Sequence, residues 1–101
     1  MRVHVDFETR STAELARQNA VGEHAYAQHR STSPLLLGYK TPHMPEVRVL
    51  DLLKDASCPS DLRDYIERGA TFVAHNARFE QAVWYWQMHV KYGWPLVANW
   101  S

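Results

Sequence analysis

Residues 2–8 alternate without a break between polar and apolar side chains. A period of two is the period of a strand, and it sends successive side chains to opposite faces. Val3, Val5 and Phe7 fall on one face, and Arg2, His4, Asp6 and Glu8 on the other. This strand is the element around which the rest of the chain is organised. Asp6 and Glu8 stand about 6.5 Å apart along its backbone. That spacing lets both carboxylates converge on a cation; without one, the pair only repels itself.

The remaining pattern predicts a mixed α/β domain. Ser11-Thr12-Ala13-Glu14 has the capping-box spacing, Leu15 and Ala16 begin a short helix, and Gly22 closes it. Residues 24–29 read equally as a helical turn or an irregular link. After Pro34, the run Leu35-Leu36-Leu37-Gly38-Tyr39 reads as a buried strand, and residues 46–51 alternate again with Val47 and Val49 on one face. Three strands on short links predict an antiparallel meander. Pro59, Asp61 and Asp64 mark the start of a helix; Leu62, Tyr65 and Ile66 form its apolar stripe, and Arg68 and Gly69 its stop. Thr71–Ala74 is a short buried strand reached by a crossover, so it can pair in parallel. Asn76 suits the N-cap of a second helix over residues 77–91, with Phe79, Ala82, Val83, Trp86 and Val90 on one side. Gly93 ends it and Pro95 prevents its return.

Size and composition narrow the class. A chain of 101 residues suits one small domain and not two. Eleven Lys and Arg balance eleven Asp and Glu, which argues against gripping nucleic acid by bulk positive charge. It does not exclude a nuclease, because acids at a metal site cancel basic residues in the count. No apolar run approaches a membrane span, and nothing at the N-terminus reads as a signal peptide. The single cysteine, Cys58, favours a reducing cytosol.

Each acidic island alone has an ordinary reading. Asp6 and Glu8 suit the solvent face of a strand, His75-Asn76 a loop feeding an N-cap, and Glu80 an exposed first-turn acid facing the helix dipole. Together they say more. Val5-Asp6-Phe7-Glu8-Thr9 resembles the first motif of the DnaQ-like (DEDD) 3′-5′ exonucleases. Phe72-Val73-Ala74-His75-Asn76-Ala77-Arg78-Phe79-Glu80 resembles their second, with Glu80 where Asp is usual. The stretch between is similar in layout to the exonuclease domain of bacteriophage-type family A DNA polymerases.

The resemblance implies an RNase H-like fold and an enzyme, a proofreading 3′-5′ exodeoxyribonuclease associated with a DNA polymerase. It would hydrolyse the 3′-terminal phosphodiester of single-stranded DNA with two divalent ions, Mg2+ or Mn2+, whose hard character suits oxygen ligands. It implies Asp6, Glu8 and Glu80 as catalytic metal ligands, and Phe7, Thr9, His75 and Asn76 beside the substrate. It also implies a cytoplasmic phage or prophage protein in a bacterial host. The family requires a third motif, Tyr or His followed four residues later by Asp. No Asp or Glu follows Glu80, and His89 is followed at that spacing by Gly93. Residues 1–101 therefore read as a partial, truncated exonuclease-like domain, with little or no activity alone. It is expected to be completed by a C-terminal chain or polymerase domain, or to self-associate; Trp84, Trp86, Trp94 and Trp100 read as core or as the surface on which such a partner docks. The alternative is a non-catalytic RNase H-like module that binds nucleic acid or a partner protein. His24, His29, His43 and His89 lack zinc-type spacing, and Cys58 leads into a helix rather than acting as a nucleophile.

Overall fold

A computed structural model describes residues 1–10 and 32–101. The expected capping box at Ser11–Glu14, the short helix stopped by Gly22, and residues 24–29 with His24 and His29 lie outside the described residues.

The sheet begins as the expected meander. Strand β1 (Arg2–Arg10) pairs antiparallel with β2 (Ser33–Lys40), which pairs antiparallel with β3 (Arg48–Asp51). Helix α1 (Ser60–Glu67) then carries the chain across to β4 (Thr71–Val73), which pairs in parallel with the other edge of β1. Beyond β4 come α2 (Ala77–Val83), a π-helical stretch (Trp84–His89) and a last α turn, α3 (Val90–Tyr92). With a short strand β5 (Asn99–Trp100) near the end of the chain, the order across the sheet is β3-β2-β1-β4-β5. β1 is its centre, and β2 alone runs against the other four strands. The expected α/β sheet, with a meander followed by helix, strand and helix, is thus present.

Local chemistry accounts for these elements. Val3, Val5 and Phe7 are buried while Arg2, His4, Asp6 and Glu8 are exposed, as a period of two requires. Pro59 precedes α1 with φ −58°, and Gly69 follows its end at φ +77°, a conformation that costs glycine little. Leu62, Tyr65 and Ile66 are the buried stripe of α1. The Tyr39 hydroxyl donates to Asp61 at 3.0 Å and accepts from Arg48 at 3.2 Å, tying β2 and β3 to the start of α1.

Two expectations need correction. The long helix buries most of the face read from the sequence, with Ala82 and Val83 buried and Phe79 and Trp86 packed against the core, but not its C-terminal end. Val90 is 54% exposed, while Trp84, Gln87 and Met88 are buried. The π turns are the cause: i→i+5 bonding advances each residue less around the axis, so the stripe has turned to solvent by Val90. The second correction is a fifth strand. β5 (Asn99–Trp100) pairs in parallel with β4, and Ser101 N–H donates to the Phe72 carbonyl at 2.8 Å. Two residues are too few to show an alternation.

Of the two readings of the tryptophans, core or docking surface, the structure shows the core. Trp84 and Trp94 are each 1% exposed, and Trp86 and Trp100 pack half-buried against the core. Trp84 meets Phe7, Phe72, Trp94 and Trp100 edge to face, at centroid distances of 5.9, 5.4, 5.4 and 5.9 Å. Its indole N–H donates to the Pro95 carbonyl at 2.8 Å and that of Trp94 to the Ala56 carbonyl at 2.6 Å, so both fully buried indoles are satisfied. Truncating Trp84 to Ala should cost about 3–5 kcal/mol. Truncating its neighbour Tyr85, 42% exposed, should cost under about 1 kcal/mol. Urea unfolding of the two variants measures both, and similar losses would refute this helix register.

Candidate functional site

The site is built where β1 outruns its neighbour. β4 pairs with β1 only from Arg2 to His4. Beyond that point the chain turns through Ala74, His75 and Asn76 into α2. Asn76 is the N-cap, as expected: its side chain accepts from Phe79 N–H at 3.4 Å. Glu80 lies one turn further on and is 3% exposed. Its Oε2 accepts the Phe7 N–H at 3.0 Å. A backbone donor that a longer β4 would have satisfied is instead satisfied by a side chain 73 residues away in sequence.

That bond sets the electrostatics. Glu80 is pushed up from the usual 4.5 to about 7, first by burial and then by the nearby charge of Asp6, against the opposing pull of the Phe7 N–H. Asp6 and Glu8 are exposed on the opposite sheet face from Phe7, and among the described residues neither has a hydrogen-bond or ion-pair partner. Just past them the β1–β2 register shifts between Glu8 and Thr9, and Leu35 is the extra residue. Such a bulge re-aims the side chains beside it, and here it leaves Thr9 half-buried.

The structure therefore brings Asp6, Glu8 and Glu80 to one length of β1, with the Glu80 carboxylate held on the backbone between the other two. Their oxygen donors have the right chemistry for Mg2+ or Mn2+. No three His, Cys, Asp or Glu side chains among the described residues are gathered as a ready metal site. Glu80 is committed to the strand backbone rather than turned out beside Asp6 and Glu8.

The other candidates are more scattered. The Phe7 side chain belongs to the core, 5% exposed, so only its backbone takes part in the site. His75 and Asn76 are exposed at the turn into α2. Cys58 is half-buried, and burial pushes its thiol up to about 11, which suits a packing role. His89 Nδ1 lies 2.6 Å from the Trp94 carbonyl, and the His43 ring lies against Tyr65.

Sequence reasoning missed two features. One is the Phe7–Glu80 bond, which depends on where β4 stops. The other is a groove of about 310 Å³ along the outward face of β1, lined by Asp6, Glu8, Leu36, Gly38, Val47 and Val49 among others. The outward valines at 47 and 49 were visible in the sequence, but the register that sets them across from Asp6 was not.

The raised Glu80 value carries a pH dependence of definite sign. Between pH about 4.5 and 7 the unfolded chain ionises at this position while the folded chain keeps the proton. Stability from this group is therefore lost as pH rises through that window, by up to about 3 kcal/mol at and above neutrality. Glu80→Gln keeps an acceptor for Phe7 N–H and should flatten this slope. Urea midpoints at pH 5 and 7.5 measure it, and an equal slope in the variant would refute the assignment.

No family model, curated protein or solved structure matches the chain.

Proposed function

We propose that the chain is an RNase H-like domain of the DnaQ-like 3′-5′ exonuclease type, carrying the part of the site that binds divalent cations and the DNA 3′ end. The observation that carries this reading is the Glu80 carboxylate held on the Phe7 amide, between Asp6 and Glu8. Two motifs far apart in sequence thereby meet on one strand. The order of elements supports it too: a meander, then helix, strand and helix, with the first acids on the central strand and the last in the first turn of α2.

The residues divide their roles accordingly. Asp6 and Glu8, exposed and without protein partners among the described residues, are the ones that would hold an ion. Glu80 sits on the edge of the same strand, where burial makes its charge costly and the charge of Asp6 adds to that cost. Bound Mg2+ or Mn2+ would supply water activation and stabilisation of the leaving 3′ oxygen. His75 and Asn76 stand exposed at the α2 N-terminus, beside the strand end that the DNA would approach.

A second reading has its own support. Because no three ligating side chains are gathered among the described residues, a module that binds single-stranded DNA or a partner protein without cutting is the alternative.

Mn2+ titration separates the two. The exonuclease-type reading expects wild-type protein to bind Mn2+ and Asp6→Ala to bind it about tenfold or more weakly, and a 3′-labelled single strand to bind more tightly when Mn2+ is present. Equal Mn2+ affinity in the two proteins, with DNA binding indifferent to the metal, would leave only the non-catalytic module.

A further inference from the structure

The two edges of the sheet are unlike. β5 is two residues long and β3 is four. β3 pairs with β2 alone, so half of its backbone groups face away from the sheet. The ladder shows which half. Leu52 N–H donates to the Leu35 carbonyl at 3.0 Å, one step beyond the Leu36–Asp51 pair. Bonded residues alternate along an antiparallel ladder, so Leu50 and Arg48 also bond to β2. Val47, Val49 and Asp51 turn their N–H and C=O groups outward. The Asp51 carbonyl is taken up by the Lys54 and Asp55 N–H groups of the following turn. The Asp51 N–H and both groups of Val47 and Val49 meet no backbone partner among the described residues.

An open edge of this kind is a template for another strand, and proteins often blunt it with a lysine, a proline or a bulge. Between Arg48 and Asp51 there is no lysine, no proline and no break in register. Val47 and Val49 stand beside the unpaired groups, 60% and 61% exposed.

A second copy of β3 fits this edge, and the chemistry selects one register. A closed pair of identical strands is antiparallel and symmetric about one residue. Centring on Arg48 sets two guanidinium side chains directly opposite, which is destabilising. Centring on Val47 sets Pro45, which lacks an N–H, against Val49. Centring on Leu50 sets Val49 against Asp51, whose carbonyl is already used. Centring on Val49 avoids all three. Val49 then exchanges both ladder bonds with the partner's Val49, and each Asp51 N–H meets the carbonyl of the partner's Val47. The Val49 side chain packs on the partner's Val49, and Arg48 lies opposite the partner's Leu50. The Arg48 guanidinium is turned back onto the Tyr39 hydroxyl, which itself holds Asp61, so it does not confront its own copy. Equal numbers of acidic and basic residues leave no net repulsion between two chains.

We infer that two copies of the chain pair through β3, antiparallel about Val49, and join their five-stranded sheets into one. The contact is a strand edge and not a broad face, so the dimer is transient rather than permanent. It lays the two faces that carry Asp6 and Glu8 side by side, with the β1 strands five strand spacings apart, about 24 Å. The pairing requires no cation at those acids.

Sedimentation equilibrium over about a hundredfold range of concentration measures the association. The wild type should pass from monomer to dimer. Val49→Pro removes an N–H that β2 does not use, and proline is tolerated at such an edge position. It should weaken the dimer about tenfold or more. Val49→Lys sets like charges directly opposite and should weaken it by at least as much, about tenfold; it serves should the proline variant fold poorly. Leu96→Lys changes an exposed residue near β5 and should leave the dimer within about twofold. Exchange of the Val49 amide in the wild type should slow as concentration rises. A wild type that stays monomeric, a dimer that survives Val49→Lys, equal loss in Leu96→Lys, or a Val49 amide indifferent to concentration would each overturn the proposal.

Discussion

The hydrogen bond from the Phe7 amide to the Glu80 carboxylate closes an edge that the sheet leaves open. β1 is the longest strand and lies at the centre, but β4 covers only its first residues. A central strand with an uncovered edge is an unfavourable arrangement, because each buried N–H without an acceptor costs about 1–3 kcal/mol. The first turn of α2 supplies that acceptor. It does so with a group that would rather be in water, and the consequence is a buried acid that holds its proton up to neutrality. One side chain thus closes the open edge of β1, at some cost to stability when it is ionised.

The two faces of the sheet divide the labour. α1 and α2 pack on the face of Val3, Val5, Phe7, Leu37 and Phe72, and there the aromatic cluster around Trp84 forms the core. The opposite face carries His4, Asp6, Glu8, Gly38, Val47 and Val49, and none of the described helices packs on it. Features that would weaken a core are confined to that second face: adjacent like charges, a glycine in mid-strand, valines left in solvent. Local sequence choices that disagree with stability tend to cluster where a protein does something else.

Much of this could be read in the sequence. Alternation at residues 2–8 placed β1 and sorted its faces. The Pro59 and Gly69 punctuation bracketed α1, and Asn76 caps the next helix as its chemistry suggests. These signals are local, and local physics enforces them. What could not be read is what depends on length and register. The two-residue β5 has no periodicity. The π turns moved the buried stripe from Val90 to Gln87 and Met88 without any composition cue. Glu80 had every mark of an exposed helix-start acid, and only the shortness of β4 turns it inward. The groove at Gly38 needs two strand registers at once, one of them interrupted by the bulge at Leu35. The acids themselves were visible, but their mutual arrangement was not.

The position of Glu80 also has a consequence for the order in which the molecule comes together. β1 and β2, then β2 and β3, are neighbours along the chain and can find each other through modest loops. The link from residue 7 to residue 80 spans 73 positions, and contacts of that range form slowly because a long loop must close before anything is gained. The meander by itself displays two acids and an open amide. Glu80 reaches that amide only when α2 docks. The local acidity of this strand is therefore a property of the finished fold and not of its first-formed part.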